Sequence, residues 1–222
     1  MSSIVKKQIV AVTGIALVGF VLVHMAGNFT LFLGPNAFNG YSEKLHHLGA
    51  LLWVARGGLL AAVSVHIVLT ISIVLQNRGA RAGRYAISGS KTDDTGYARR
   101  SMIYTGLLVA VFVVVHLIDF TFPAKEGPNT VIPGIENEGL GLFGLVWNGF
   151  LNPVRAVAYI AMMILVGLHL SHGIQSLFQT IGFRHEKYTP LIEKISFGVG
   201  AAVAIGFSLV PIYINIVRTP SL

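Results

Sequence analysis

Five long apolar stretches constrain this 222-residue chain more than any other feature. They run approximately over Gln8–Leu33, Leu51–Gln76, Ser101–Phe122, Val154–Ile181 and Leu191–Val217. A helix rises about 1.5 Å per residue, so about 20 apolar residues cross the hydrocarbon core of a bilayer. All five stretches are long enough. Only 11% of the residues are charged, against roughly a quarter in an ordinary soluble domain. The longest connections, Pro123–Pro153 and Asn77–Arg100, are too short to hold a soluble catalytic domain. The expected fold is therefore an all-α bundle of five transmembrane helices, forming one integral-membrane domain over residues 1–222.

The chain contains no cysteine. That excludes disulfides, thiolate-held iron–sulfur clusters and thioether-linked haem within it. The first apolar stretch is too long for a signal peptide and lacks a small-residue cleavage site after it, so it reads as a retained helix. The net charge of +7 is not a nucleic-acid signature, because the basic residues alternate by loop. Lys6, Lys7, Arg78, Arg81, Arg84, Lys91, Arg99, Arg100, Arg184, Lys187 and Lys194 fall on one side. Lys44, Lys125 and Arg218 fall on the other, with Arg56 and Arg155 at helix starts there. The positive-inside rule then puts the N-terminus in the cytoplasm and the C-terminus outside. The inner charges suit either anionic lipid or a docked partner.

The connection "NRGARAGRYAISGSKTDDTGYARR" is basic, rich in Gly and Ser, and reads as a surface loop. The later connection turns apolar from Leu140 to Phe150, as an interfacial segment with Trp147 at headgroup depth would. Glycines recur inside the spans, where they permit close helix contact or the approach of a flat cofactor. No tandem repeat stands out.

Four consecutive spans each carry a near-central histidine: His24, His66, His116 and His169, with His172 one turn after the last. Ionisable residues within spans are costly and usually functional. Measured from each span's midpoint, His24 lies roughly 5 Å and His116 about 7 Å outward. His66 lies about 4 Å, His169 about 2 Å and His172 about 7 Å inward. This gives an outer pair on spans one and three and an inner pair on spans two and four. Two imidazoles facing at one depth can hold one iron from both sides, as axial ligands of a haem do. Two such pairs would form an electron route across the bilayer. A zinc site would gather its ligands at one point, often with Cys or carboxylate. A histidine proton relay and simple packing histidines are the competing readings. His46, His47 and His185 lie in connections and read as surface or interfacial residues.

The segments "LVHMAGNFTLFL", "SVHIVLTI", "VVHLIDFTFP", "FLNPVRAVAYIAMMILVGLHLSHGIQSLFQTIGF" and "KYTPLIEKIS" resemble the dihaem cytochrome b subunit of succinate:quinone oxidoreductases. These are the succinate dehydrogenases and fumarate reductases with a single five-helix anchor. The resemblance covers nearly the whole chain, and its fourth-span motif is the most specific part. It implies two b haems, with His24 and His116 on the outer iron and His66 and His169 on the inner one. His172 is the alternative to His169. It also implies a flavoprotein subunit with FAD and an iron–sulfur subunit on the cytoplasmic face of a prokaryotic inner membrane. Menaquinone or another quinone would react near the outer haem. Where some members carry a glutamate two residues before the fourth ligand, this chain has Gly167, so no transmembrane proton pathway is inferred.

Quinone chemistry moves protons with electrons and needs a proton-carrying group near the haem edge. Asp119 lies one turn outward of His116, and Glu43 stands in the adjoining outer connection. These two are the expected proton-transfer residues. Arg56 and Arg155 are candidates for haem propionate contacts. The remaining alternatives are a cytochrome b subunit of a hydrogenase or formate dehydrogenase, and a haemless histidine-relay transporter.

Overall fold

The structure is a computed structural model that describes residues 1–79, 94–134, 139–183 and 185–220. It is all-helical, with no strand among the described residues. Five helices carry the spans: α1 (Ser3–Phe29), α3 (Ala50–Gly79), α4 (Asp94–His116), α6 (Pro153–Thr180) and α7 (Thr189–Val217). Two shorter helices, α2 (Pro35–His46) and α5 (Gly141–Leu151), lie in the connections. The chain is a multi-pass membrane protein, and most large apolar side chains of α3 and α4 face outward, as lipid contact requires.

The helix ends follow local chemistry. Helix α1 starts at Ser3 rather than near Gln8, because the Ser2 hydroxyl caps it by accepting the Val5 N–H. Lys6 thus sits on the first turns, where its ammonium donates to Ser72 of α3 at 2.8 Å. Asn152 caps α6 through the N–H groups of Val154 and Arg155, and Pro153 fills the first position, where no donor is needed. At the far end of α4 the chain widens into one π-helical turn, Leu117–Thr121. Lys125 then closes it by donating to the carbonyls of Phe120, Thr121 and Pro123.

Four spans pack in the order α3, α1, α6, α4. Helix α1 packs on α3 and on α6, and α4 packs on α6. No comparable contact joins α3 to α4 among the described residues, so that edge stands open. Helix α7 lies over α1 and α6, and its seam with α6 is the most extensive in the molecule. Small residues make the seam: Gly167 and Ser171 on α6 meet Gly200 and Ala204 on α7. A Cβ on Gly167 would lie 2.5 Å from the Gly200 carbonyl oxygen and 2.9 Å from the Ala204 Cβ. Gly167 is therefore a backbone contact, with no room there for the glutamate side chain that some dihaem cytochromes carry.

Two of the connections between spans carry short helices. Residues Pro35–His46 form α2, which includes Glu43, and His47 caps its C-terminus. Helix α2 packs on α5 through Asn39, whose amide donates to the Leu140 carbonyl at 2.9 Å and accepts from the Phe143 N–H at 3.0 Å. Trp147 is not exposed at a headgroup boundary. It is fully buried between Phe143 and Tyr213, and its indole N–H donates to the Arg218 carbonyl at 3.1 Å. The reason is packing: α5 presents apolar residues on nearly every side and is enclosed by α2, α6 and α7. These elements cap the end of the bundle that the charge pattern assigns to the outside. Arg81, Arg84, Lys91 and Arg184, part of the expected basic inner surface, lie outside the described residues.

Candidate functional site

The four span histidines fall into two pairs. His24 on α1 faces His116 on α4 near the capped end, with ring centroids 5.8 Å apart and planes at 81°. His66 on α3 and His169 on α6 sit deeper, within electrostatic reach of one another. His172 follows one turn after His169 and is half-buried. It makes none of the helix-to-helix contacts that fix His169.

Each deeper histidine is held by a neighbouring helix in the same way. The His66 Nδ1 lies 3.1 Å from the Thr13 hydroxyl of α1. A Cβ on the adjacent Gly14 would stand 3.5 Å from the His66 ring. The His169 Nδ1 lies 3.2 Å from the Thr105 hydroxyl of α4. A Cβ on the adjacent Gly106 would stand 3.1 Å from the His169 ring, tighter than side chains ordinarily tolerate. Both glycines leave space for an imidazole to lie against helix backbone.

The capped-end pair is walled by aromatic rings. Phe20 stacks on His24 at 5.4 Å and Phe207 of α7 closes its other flank at 5.6 Å. Phe112, Phe120 and Tyr159 surround His116 at 5.9, 5.7 and 6.2 Å. The His116 Nδ1 is buried without a hydrogen-bond partner, an expensive state for a polar atom unless something else engages the ring. Beyond the rings, the Tyr159 phenol donates to Asp119 Oδ2 at 2.7 Å, and the Arg155 guanidinium stands 3.9 Å from Oδ1. Asp119 engages Tyr159 and Arg155, and no hydrogen bond or ion pair joins it to Glu43. Arg56 lies over the Trp53 ring of its own helix at 5.0 Å.

Structure also brings out a repeat that inspection of the sequence missed. Thr13, Gly14, Phe20 and His24 on α1 recur at identical spacing as Thr105, Gly106, Phe112 and His116 on α4. In both copies the Phe packs on the His of its own helix, and the Thr–Gly pair receives a histidine from the next span of that half. The likeness continues as Asn28-Phe29-Thr30 against Asp119-Phe120-Thr121, then Gly34-Pro35-Asn36 against Gly127-Pro128-Asn129. Gly34 and Gly127 share a positive φ, 93° and 86°, and each precedes a proline that opens a helical turn. Thr13 lies eleven residues before His24, as Thr105 does before His116. That sets the two histidine pairs about 16 Å apart along the bundle.

Two imidazoles sharing one metal through bonds of about 2 Å would have ring centroids about 6 Å apart; His24 and His116 stand 5.8 Å apart, edge to face. No cluster of three or more His, Asp or Glu capable of holding a metal ion occurs among the described residues. A flat macrocycle between two imidazoles suits this pairwise arrangement, the open α3–α4 edge and the glycine-backed rings.

No protein family, curated protein or solved structure matches the chain.

Proposed function

We propose that this chain is the membrane anchor and transmembrane electron carrier of a succinate:quinone oxidoreductase, a succinate dehydrogenase or fumarate reductase. In this reading His24 with His116, and His66 with His169, are the axial ligands of two b haems. The observation that carries it is the pairing of four histidines from four spans, at two depths about 16 Å apart. Bound haem supplies one-electron chemistry at iron, and stacking two of them spans a medium that excludes free charge.

The chain's own residues supply everything around that chemistry. Thr13, Gly14, Thr105 and Gly106 fix the deeper rings against backbone. Phe20, Phe112, Phe120 and Phe207 exclude water from the capped-end pair. Asp119 Oδ2 holds or accepts a proton beside that pair. Tyr159 orients the carboxylate and Arg155 offsets its charge. Quinone, menaquinone foremost, reacts at the capped end, which faces away from the cytoplasm. The flavoprotein subunit with its FAD and the iron–sulfur subunit dock at the opposite end, in the cytoplasm of a prokaryote. Arg56 remains a propionate partner in this reading, and Glu43 a proton donor at the mouth of the site.

The test is purification from membranes without stripping partners. A dithionite-reduced spectrum should report two low-spin b haems per chain, and the co-purifying subunits should include a flavoprotein and an iron–sulfur protein. A haem-free chain would leave a histidine relay as the working explanation. A dihaem chain purifying with hydrogenase or formate dehydrogenase subunits would reassign the complex.

A further inference from the structure

We infer that Thr13 and Thr105 are positioning residues that set the tautomer and electron-donating strength of the deeper ligand pair, His66 and His169. The inference rests on the dihaem reading above and goes beyond the choice of ligands.

A threonine hydroxyl has one hydrogen and two lone pairs. In both threonines that hydrogen is committed to the home helix. Thr13 Oγ1 donates to the Ile9 carbonyl at 2.9 Å, with the Val10 carbonyl at 3.1 Å. Thr105 Oγ1 donates to the Ser101 carbonyl at 3.0 Å, with the Met102 carbonyl at 3.2 Å. With that hydrogen on a carbonyl of its own helix, each oxygen offers the neighbouring imidazole a lone pair. This assigns the hydrogen of the contact to the imidazole nitrogen 3.1 or 3.2 Å away. That nitrogen is Nδ1 in both rings. The second nitrogen, Nε2, is left with its lone pair free, the form in which an imidazole binds metal.

The threonine–Nδ1 contact occurs twice, on the two copies of the Thr-Gly-Phe-His repeat, with the Val10 carbonyl as a further acceptor for His66. A packing accident has no reason to reproduce the contact in both halves. At the α4 copy the following glycine serves the same end, since a side chain at Gly106 would press on the His169 ring, whereas one at Gly14 would meet His66 at ordinary contact distance. The capped-end pair lacks the device: the His116 Nδ1 has no partner, and the Asn28 amide approaches the His24 Nε2 only at 3.4 Å. Control of Nδ1 by a hydroxyl is thus specific to one pair.

A hydrogen-bond acceptor on Nδ1–H makes the imidazole a stronger donor to metal and favours the oxidised iron. Removing the acceptor should therefore raise the potential of the deeper haem alone. The experiment is a spectroelectrochemical titration of the purified complex carrying Thr13→Val, Thr105→Val, Thr13→Ser or Thr105→Ser. Valine keeps the shape and deletes the oxygen, while serine restores the oxygen. The expected result is two haems in every variant, an upward shift of one haem in both valine variants, a return toward the wild-type value with serine, and no shift in the other haem. The two valine variants probe the two ligands independently, so failure of one to assemble leaves the other as the test. An unmoved deeper haem, an equal shift of both haems, or serine behaving like valine would overturn the inference. Wild-type protein without two haems would remove its premise instead, and is seen before any variant is made.

Discussion

Tyr159 and Asp119, forty residues apart in the chain, are joined by a 2.7 Å hydrogen bond from the phenol to carboxylate Oδ2. The bond ties α6 to the π-helical turn that ends α4, directly beyond His116. Arg155, one turn before Tyr159 on α6, completes the group at 3.9 Å. A carboxylate with two partners of this kind is positioned rather than merely solvated.

Replacing Asp119 by Asn should remove a proton-carrying group and retain most of the packing. Quinone-linked turnover is expected to fall at least about tenfold, within the range attributed to a positioned acid–base group. Succinate oxidation by an artificial acceptor should stay near wild type. Equal quinone turnover in mutant and wild type would take Asp119 out of the site. Tyr159→Phe should give a smaller loss, because Asp119 keeps its carboxylate and its Arg155 partner.

Substituting His116 or His24 should abolish the haem nearer the capped end and spare the other. Substituting His66 or His169 should do the reverse. His172→Ala should retain both. Haem content and the low-temperature spectrum read these outcomes directly. Two intact bis-histidine haems in a His66→Ala, His116→Ala double variant would reject the ligand assignment.

The α6–α7 seam predicts a steric effect. Gly167→Ala puts a Cβ 2.5 Å from the Gly200 carbonyl oxygen, and overpacking of this kind costs about 1–3 kcal/mol. A lower thermal midpoint in detergent is expected. Gly173→Ala, on the same helix with nothing within 4 Å of the added Cβ, is the control and should leave the midpoint near wild type. Equal midpoints for the two variants would contradict the close contact.

Asn39→Ala should loosen the cap. It deletes two hydrogen bonds to α5 and its entry, at about 0.5–1.5 kcal/mol each. Faster limited proteolysis in the α2–α5 region is the expected readout, with the haem spectrum little changed. Unaltered proteolysis would mean that apolar packing around Trp147 holds α5 without the clamp.

Hydropathy alone located the five spans, because span length and apolarity are local properties that the bilayer reads directly. The ends came out within a few residues for α3, α6 and α7. The start of α1 was missed because a serine cap and two lysines carry the helix beyond its apolar part. The order of the two histidine pairs along the bundle was legible by counting residues at 1.5 Å, but the count put them about 9 Å apart rather than about 16 Å, because it measures from span midpoints that the sequence fixes only loosely. Rotation about each helix axis was not legible, and it decides which histidine faces which. Only the packed bundle set His24 against His116, brought His66 to Thr13 and His169 to Thr105, and gave Asp119 to Tyr159 and Arg155. Helix α2 was hidden, and the apolar α5 was read as interfacial rather than buried, for a related reason: what each covers depends on the other and on the spans. The Thr-Gly-Phe-His repeat lies between these cases. Its letters were always in the sequence, but four matches spread over twelve positions gain meaning only when both copies hold a histidine in the same way. Transfer into lipid is a property of a segment alone, whereas a hydrogen bond between helices depends on the angle and register of both.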